Sequence, residues 1–306
     1  MIKKIIFSTG GTGGHIFPAI NLMKHFFDKG YKVLIVTDKR GYNFLKDYPE
    51  FKSYILTTST PTNKNILIKI MSYFIIFFSI VKSIFILKKE KPNLIFGFGG
   101  YVSFPISFAS KLFKLPLAIY ENNVVLGRTN RYLSRYSDKI FTAKELTSNL
   151  PKKYESKVYQ VGSVLSKKII NHSLINQDTD KNFFSILVLG GSQGAEIFGR
   201  VIPPVIKMIK QKGHQVKIKQ QCISKQKKGI IDYYKKNNIK SNVFEFDKNI
   251  LELILSSNLA ITRCGASTTA ELVHACTPFI AVPLPNSIDN HQYLNAKYYE
   301  KKGYCW

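Results

Sequence analysis

Short apolar runs of strand length alternate along the chain with longer stretches whose apolar positions recur every three to four residues. This alternation predicts βαβ units on parallel sheets. In the first half, runs at 3–8, 32–37, 93–97, 116–120 and 138–141 predict strands, stretches at 15–28, 64–89, 103–113 and 127–135 predict helices, and a strand at 158–161 closes the series. Residues 166–182 are polar, carrying Lys167, Lys168, Asn171, Asn176, Gln177, Asp178 and Asp180, and read as a linker. A second series follows, with strands at 184–189, 216–220, 243–246, 259–262 and 279–282, each leading into a helix-like segment. The expected fold class is α/β: two Rossmann-like domains, 1–165 and 166–306, facing each other across a cleft, with ligands at the carboxyl ends of the strands.

One segment departs from this pattern. Between Lys69 and Lys82 lie twelve residues without charge, and the wider window 66–87 holds 22 residues. That is enough to cross a bilayer at about 20 residues per span, but with two lysines in the hydrocarbon. On a helical wheel Lys69, Ser72, Ser79, Lys82 and Ser83 share one stripe, opposite a broad face of Ile66, Ile70, Phe74, Phe77, Phe78 and Phe85. Three readings stay open: a buried crossover helix, a helix lying in a membrane surface, and a true span.

Composition narrows the class. The 306 residues suit two domains, and 45% hydrophobic against 21% charged residues exclude disorder as the main state. Cys222, Cys264, Cys276 and Cys305 form no C-x-x-C pair and no zinc spacing, which argues against a disulfide scaffold and fits a reducing compartment. The first apolar run ends at once in glycines, so it reads as a strand and not as a secretory leader. Lys and Arg number 45 against 19 Asp and Glu, a net +26 that favours anionic partners unless compositional bias explains it. Only 6 of those cations are Arg, which weighs against nucleic acid, whose base edges and phosphates are read largely by Arg. Residues 1–165 hold 25 basic and 9 acidic side chains, net +16, and the remainder 20 and 10, net +10. The first domain is therefore expected to face an anionic membrane.

Chemistry concentrates in loops after strands. Gly10, Gly11, Gly13 and Gly14 follow the first strand and are expected to let the backbone turn tightly and approach an anion at the next helix's N-terminus. The spacing is neither Walker A nor G-x-G-x-x-G. His15 stands at the mouth of that loop, where a histidine could act as a general base, bind a phosphate or simply be solvated. Gly190-Gly191-Ser192-Gln193-Gly194-Ala195 repeats the arrangement after the first strand of the second series. Arg263-Cys264-Gly265-Ala266-Ser267-Thr268-Thr269-Ala270-Glu271 again leads a strand into a helix; Glu271, one turn in, is placed either to hold a ribose diol or to sit on a helix surface. Asp178-Thr179-Asp180 matches a metal-binding D-x-D but stands in the polar linker without further ligands, and is not taken as a metal site.

The loop GGTGGHIFPA, FGGYVS at 98–103, YENN at 120–123 followed by GRTNRYL, GGSQGA at 190–195, RCGASTTAE and DNHQYLNA at 289–296 together resemble the MurG family, in its order and at similar spacing over the whole chain. That family transfers N-acetylglucosamine from its UDP conjugate to lipid I in peptidoglycan synthesis. The resemblance implies an inverting glycosyltransferase of the two-domain GT-B type, with no tightly bound cofactor or catalytic metal, UDP-N-acetylglucosamine as donor and undecaprenyl-linked lipid I as acceptor. It implies an acceptor-binding first domain and a donor-binding second domain, and a peripheral location on the cytoplasmic face of the bacterial inner membrane. Cell-wall synthesis or division proteins are implied as partners, and nucleic acid is not. Carried over by motif, Thr12, Gly13, Gly14 and Asn123 would contact the donor, with Ser192 and Gln193 near the diphosphate. Ala266, Ser267, Thr268 and Thr269 would present backbone to nucleotide and phosphate, Glu271 would hold the ribose, and Gln292 would read the sugar hydroxyls. Tyr101 and Asn130 would stand near the acceptor, and His15 is the candidate base.

The chain also departs from the family. Gly162-Ser163-Val164-Leu165-Ser166 replaces the usual Gly-Asn-Pro-Val-Arg, removing a donor-contacting arginine whose planar fork Lys167 or Lys168 does not reproduce. Asp247 occupies a position that commonly packs an apolar residue on uracil. Family members usually continue beyond the position of Trp306 through helices that return across the domain junction, so weak UDP binding and low turnover are expected at this length. Two alternatives follow: a glycosyltransferase acting on another lipid acceptor, and a degenerate, non-catalytic membrane-associated protein.

Overall fold

A computed structural model of the chain describes residues 3–60, 65–146, 148–171, 182–191, 195–247 and 249–306. The chain packs as two compact units, Met1–Val164 and Leu165–Trp306.

In the first unit the order is β1 (Lys4–Ser8), α1 (Gly13–Asp28), β2 (Lys32–Thr37), α2 (Lys39–Leu45), β3 (Lys52–Ile55), α3 (Ile66–Glu90), β4 (Leu94–Gly97), α4 (Ser103–Leu112), β5 (Leu117–Glu121), α5 (Arg128–Leu133), β6 (Lys139–Thr142) and β7 (Val158–Gln160). The strands form one sheet in the order β3-β2-β1-β4-β5-β6-β7, and every ladder is parallel. Both faces of the sheet are covered, which is why its strands read as continuous apolar runs. On β1 the period of two is plain: Ile5 and Phe7 join α1 residues Ile16, Ile20 and Met23, while Ile6 joins Ile86 and Leu87 of α3 and Ile106 of α4.

Helix α3 is built the opposite way to a buried crossover helix. Its serine stripe faces inward, with Ser72, Ser79 and Ser83 no more than 5% exposed, while Phe74, Phe77, Phe78 and Phe85 are each about 60% exposed or more. The polar stripe clasps the chain that follows β3. The Ser79 hydroxyl donates to the Thr57 carbonyl, Ser72 pairs with Ser59 at 2.8 Å, and Lys82 Nζ donates to the Ile55 carbonyl at 2.9 Å. Only at its C-terminal end do Ile86 and Leu87 enter the core. There Glu90, 6% exposed, accepts from Tyr54 and forms ion pairs with Lys52 at 2.6 Å and Lys4 at 3.1 Å, joining α3 to β1 and β3. Burial pushes this carboxyl up, but the hydrogen bonds from Lys52, Tyr54 and Lys4 outweigh it and hold the pKa at about 2.

The second unit contains α6 (Lys167–Ile170), β8 (Phe184–Leu189), α7 (Glu196–Gln211), β9 (Val216–Gln221), α8 (Ser224–Lys236), β10 (Lys240–Phe244), α9 (Ile250–Leu255), β11 (Leu259–Thr262), α10 (Ala266–His274), β12 (Phe279–Ala281) and α11 (His291–Glu300). Its sheet, β10-β9-β8-β11-β12, is also wholly parallel. Ile186 and Val188 of β8 pack towards α7 and α8, and Leu187 and Leu189 pack towards α9, α10 and α11.

Several elements differ from expectation. Strand β3 and helix α2 were not expected, and β10 begins at Lys240 rather than 243 and ends at Phe244 rather than 246. Both missed or shifted strands are sheet edges with polar sequences, Lys-Ser-Tyr-Ile and Lys-Ser-Asn-Val-Phe, so neither carries an apolar run. Helix α1 starts at Gly13, so half of the expected tight glycine turn is already helix.

Candidate functional site

In each sheet the strand order reverses once, between β1 and β4 in the first and between β8 and β11 in the second. A crevice opens at such a reversal because the loops on either side run to opposite faces.

At the β1/β4 reversal two glycine loops meet back to back. Gly10 N–H donates to the Gly99 carbonyl at 3.0 Å, and a Cβ on Gly100 would lie 2.7 Å from Gly10 Cα. Gly99 and Gly100 have φ of +83° and +76°, a conformation that side-chain-bearing residues rarely adopt. Gly10, Gly11 and Gly14 have no such φ, and the chain bends at Gly11 and Thr12 before α1 begins. Gly11 is required by contact, since its Cβ would lie 2.1 Å from Asp38 Oδ1, the cap of α2, whereas a Cβ on Gly14 would meet nothing within 4 Å. Open space therefore stands over the first turn of α1, where the N–H groups of Gly13 and Gly14 precede the first intrahelical bonds to Thr12. Thr12 is half-buried and makes no side-chain cap bond.

His15 is half-buried and stands over Gly99, whose Cβ would lie 3.2 Å from its Cε1 and 3.3 Å from Asn130 Nδ2. The structure thus brings His15, Gly99 and Asn130 together, with half-buried Tyr101 two residues on from Gly99. Asn130 itself is 1% exposed. Its Nδ2 donates to the Tyr120 carbonyl and to Glu121 Oε2, both at 3.0 Å, leaving Oδ1 buried without a partner among the described residues. Glu121 stands in the YENN motif but has no role in the motif reading. Buried at the end of β5, its Oε1 accepts from Asn123 N at 3.1 Å and Asn123 Nδ2 at 2.9 Å, and its Oε2 also accepts from Gly127 N at 3.0 Å. Its signal in the sequence was a carboxylate closing an otherwise apolar strand. Asn122 Nδ2 approaches the Gly14 carbonyl at 3.5 Å, a carbonyl without its helical donor because Pro18 has no N–H. Lys144, 3% exposed, donates to the Asn122 carbonyl at 3.0 Å; burial pulls its pKa down to about 8 against the opposing pull of Glu121.

At the β8/β11 reversal, Gly190 N–H donates to Gln221 Oε1 at 3.0 Å and Gly191 has φ of +83°. Ser192 and Gln193 lie outside the described residues, as does Asp178-Thr179-Asp180. After β11, Arg263 is fixed by two bonds to the Val282 and Pro283 carbonyls, at 3.1 and 2.9 Å, with its guanidinium over Phe198. Helix α11 then pins the next residue. Gln292 Oε1 accepts from Cys264 N at 3.2 Å and Leu284 N at 3.0 Å, and Asn295 Nδ2 donates to the Cys264 carbonyl at 3.1 Å. This sets the start of α10, whose first-turn N–H groups belong to Ala266, Ser267 and Thr268. Thr269 departs from the expected role, because its N–H already bonds Gly265 and its buried hydroxyl bonds Gly265 and Ala266. Glu271 is half-buried, its carboxyl has no hydrogen-bond or ion-pair partner among the described residues while its backbone carbonyl accepts from Ala275 N at 2.9 Å, and burial pushes its pKa up to about 7. Asp247 turns its carboxylate onto Asn249 N at 2.7 Å beside an exposed Phe246. Among the described residues no three His, Cys, Asp or Glu converge as metal ligands would.

The comparisons with known proteins bear on both units. Residues 5–142 match the family model described as glycosyltransferase family 28 N-terminal domain, and residues 185–306 match that of the C-terminal domain of the same family. The UDP-N-acetylglucosamine–N-acetylmuramyl-(pentapeptide) pyrophosphoryl-undecaprenol N-acetylglucosamine transferase of Pelagibacter ubique is 36% identical over 307 residues, covering 100% of this chain and 84% of that protein. The protein of the same name from Rickettsia canadensis is 35% identical, covering 99% and 86%. Among solved structures, Acinetobacter baumannii MurG superposes with a TM-score of 0.75 at 27% identity, over 97% of this chain and 83% of that one. A Staphylococcus aureus MnaA–UDP structure, at TM-score 0.66 and 13% identity over 100% and 84%, shares the fold.

Proposed function

The chain belongs to glycosyltransferase family 28, and from that premise we propose that it transfers N-acetylglucosamine from UDP-N-acetylglucosamine to undecaprenyl-diphosphate-linked muramyl-pentapeptide. The observation that carries this reading is the likeness to relatives of that name along the whole chain, at 36% identity for the Pelagibacter protein. The pairing of a glycine-lined sheet reversal with a helix N-terminus in each unit supports it.

The reaction is an in-line displacement with inversion. The acceptor's 4-hydroxyl oxygen bonds to the anomeric carbon, the bond from that carbon to the β-phosphate oxygen breaks, and the hydroxyl proton passes to a base, for which His15 is the residue assigned. UDP leaves with the bonding electrons, and the charge gathering on its β-phosphate is met by N–H groups at the start of α10 and by the Gly190 loop, to which Ser192 and Gln193 belong. Glu271 accepts from the ribose diol, and the Nε2 of Gln292, whose Oε1 is committed to Cys264 and Leu284, donates to sugar hydroxyls. Thr12, Gly13, Gly14 and Asn123 border the donor, and Tyr101 and the wall formed by Asn130 border the acceptor. The protein works at the cytoplasmic face of the membrane, with the aromatic face of α3 in the lipid surface and lysines on the headgroups.

UDP release in a coupled assay tests the reading. Release should rise above the donor-only blank when a lipid I analogue is added, and release at the blank level from folded protein that still binds UDP would overturn it.

A further inference from the structure

The loop between β5 and α5 carries Asn123 and leads to Asn130, and a buried charge pair organises it. Glu121, 1% exposed, accepts from the backbone of Asn123 and Gly127 and from the side chains of Asn123 and Asn130. Each of those donors is neutral. A carboxylate held out of water by neutral donors alone is costly, and a cation within electrostatic reach offsets that cost. Lys144, two residues past β6, is a cation on which Glu121 acts electrostatically, and it is itself only 3% exposed. The same ammonium donates to the Asn122 carbonyl at 3.0 Å, and Ala143 N donates to the Glu121 carbonyl at 2.9 Å, so the segment after β6 grips both ends of the Glu121-Asn122 step.

We propose that Lys144 is a positioning residue for transfer: its buried ammonium compensates Glu121 and holds the Asn122 carbonyl, fixing the loop that presents Asn123 and Asn130. Lys144 lies outside every sequence motif of the site. Its catalytic consequence rests on the function proposed above, while its effect on the loop rests on the hydrogen bonds alone, and the two are read separately.

Amide hydrogen exchange and transfer kinetics are compared for the parent, Lys144→Met, which keeps the apolar stem, and Lys144→Arg, which keeps the charge. In Lys144→Met the amides of Asn123 and Gly127 should exchange at least about tenfold faster while Ile119, inside β5, stays protected. The turnover number for transfer should fall by about tenfold or more with UDP affinity unchanged, because a misplaced contact acts on the reacting geometry. Lys144→Arg should keep exchange at the two amides within about threefold of the parent. If Lys144→Met does not fold, Lys144→Gln, which can still donate to Asn122 but carries no charge, should show the same local loss. Unchanged protection at Asn123 and Gly127, or a loss spread evenly to Ile119, overturns the proposal. A parent that transfers no sugar, with the local loss present, overturns the function reading and leaves the positioning role standing.

Discussion

Glu271 is half-buried, its carboxyl has a pKa raised to about 7 by burial, and that carboxyl has no partner among the described residues. A ribose diol binds best to the ionised form, so affinity for UDP-N-acetylglucosamine should strengthen from pH 6 to pH 8, by up to about tenfold. Titration calorimetry with the sugar nucleotide, whose two phosphates are both esterified, isolates the carboxyl; Glu271→Gln should remove the pH dependence, and a flat parent profile would separate Glu271 from the ligand. Glu271→Ala should weaken binding by about 1 to 3 kcal/mol, the range for a hydrogen bond to a charged group. His15→Ala should bind UDP normally but lose about 100-fold or more in turnover, as expected for a lost general base. These residues were legible because each sits in a glycine-rich or helix-opening motif after a strand. Lys144 was not, and Glu121, though it stands in the YENN motif and closes an apolar strand, shows its role only through a buried environment shared with Lys144 across 23 positions of sequence, which no local pattern records.

Among the elements, α3 shows a pattern that the sequence displays without orienting it. The serine stripe and the aromatic face are both plain in the sequence, but which faces the sheet depends on the chain after β3, whose free carbonyls at Ile55 and Thr57 take the polar stripe. The edge strands β3 and β10 were hidden or shifted for a related reason: an edge half open to water needs no apolar run. Central strands such as β1, β5, β8 and β11, buried on both faces, were located to within a residue. The Glu90 cluster anchors the end of α3. Its carboxyl has a folded pKa of about 2, below its ordinary 4.5, so its contribution is full above 4.5 and is lost as pH falls towards 2. Allowing for the exposure of Lys52, that contribution is about 1 to 3 kcal/mol. Glu90→Gln should lower stability by that amount at neutral pH and lose its deficit in acid; a variant as stable as the parent in neutral urea melts would contradict the assignment.

At the scale of the whole molecule, charge and apolar surface point the same way. The first 165 residues carry net +16, and on the same unit a groove of 380 Å³ opens on α3 between Ile70, Tyr73, Phe74 and Phe77. Vesicles containing anionic lipid should therefore bind the protein more strongly in low salt than in high salt, and replacing Phe74 and Phe78 by Ser should reduce co-sedimentation while leaving UDP binding intact. Equal absence of binding to neutral and anionic vesicles would remove the membrane role. The central claim is the transfer of one sugar to one class of lipid, and mass analysis of the acceptor after incubation with UDP-N-acetylglucosamine tests it most directly, with a lipid I analogue and a diacylglycerol offered together. The account predicts one added N-acetylhexosamine on the lipid I analogue and none on the diacylglycerol; sugar on the diacylglycerol alone, or on neither lipid while the protein remains folded and binds UDP, would contradict it.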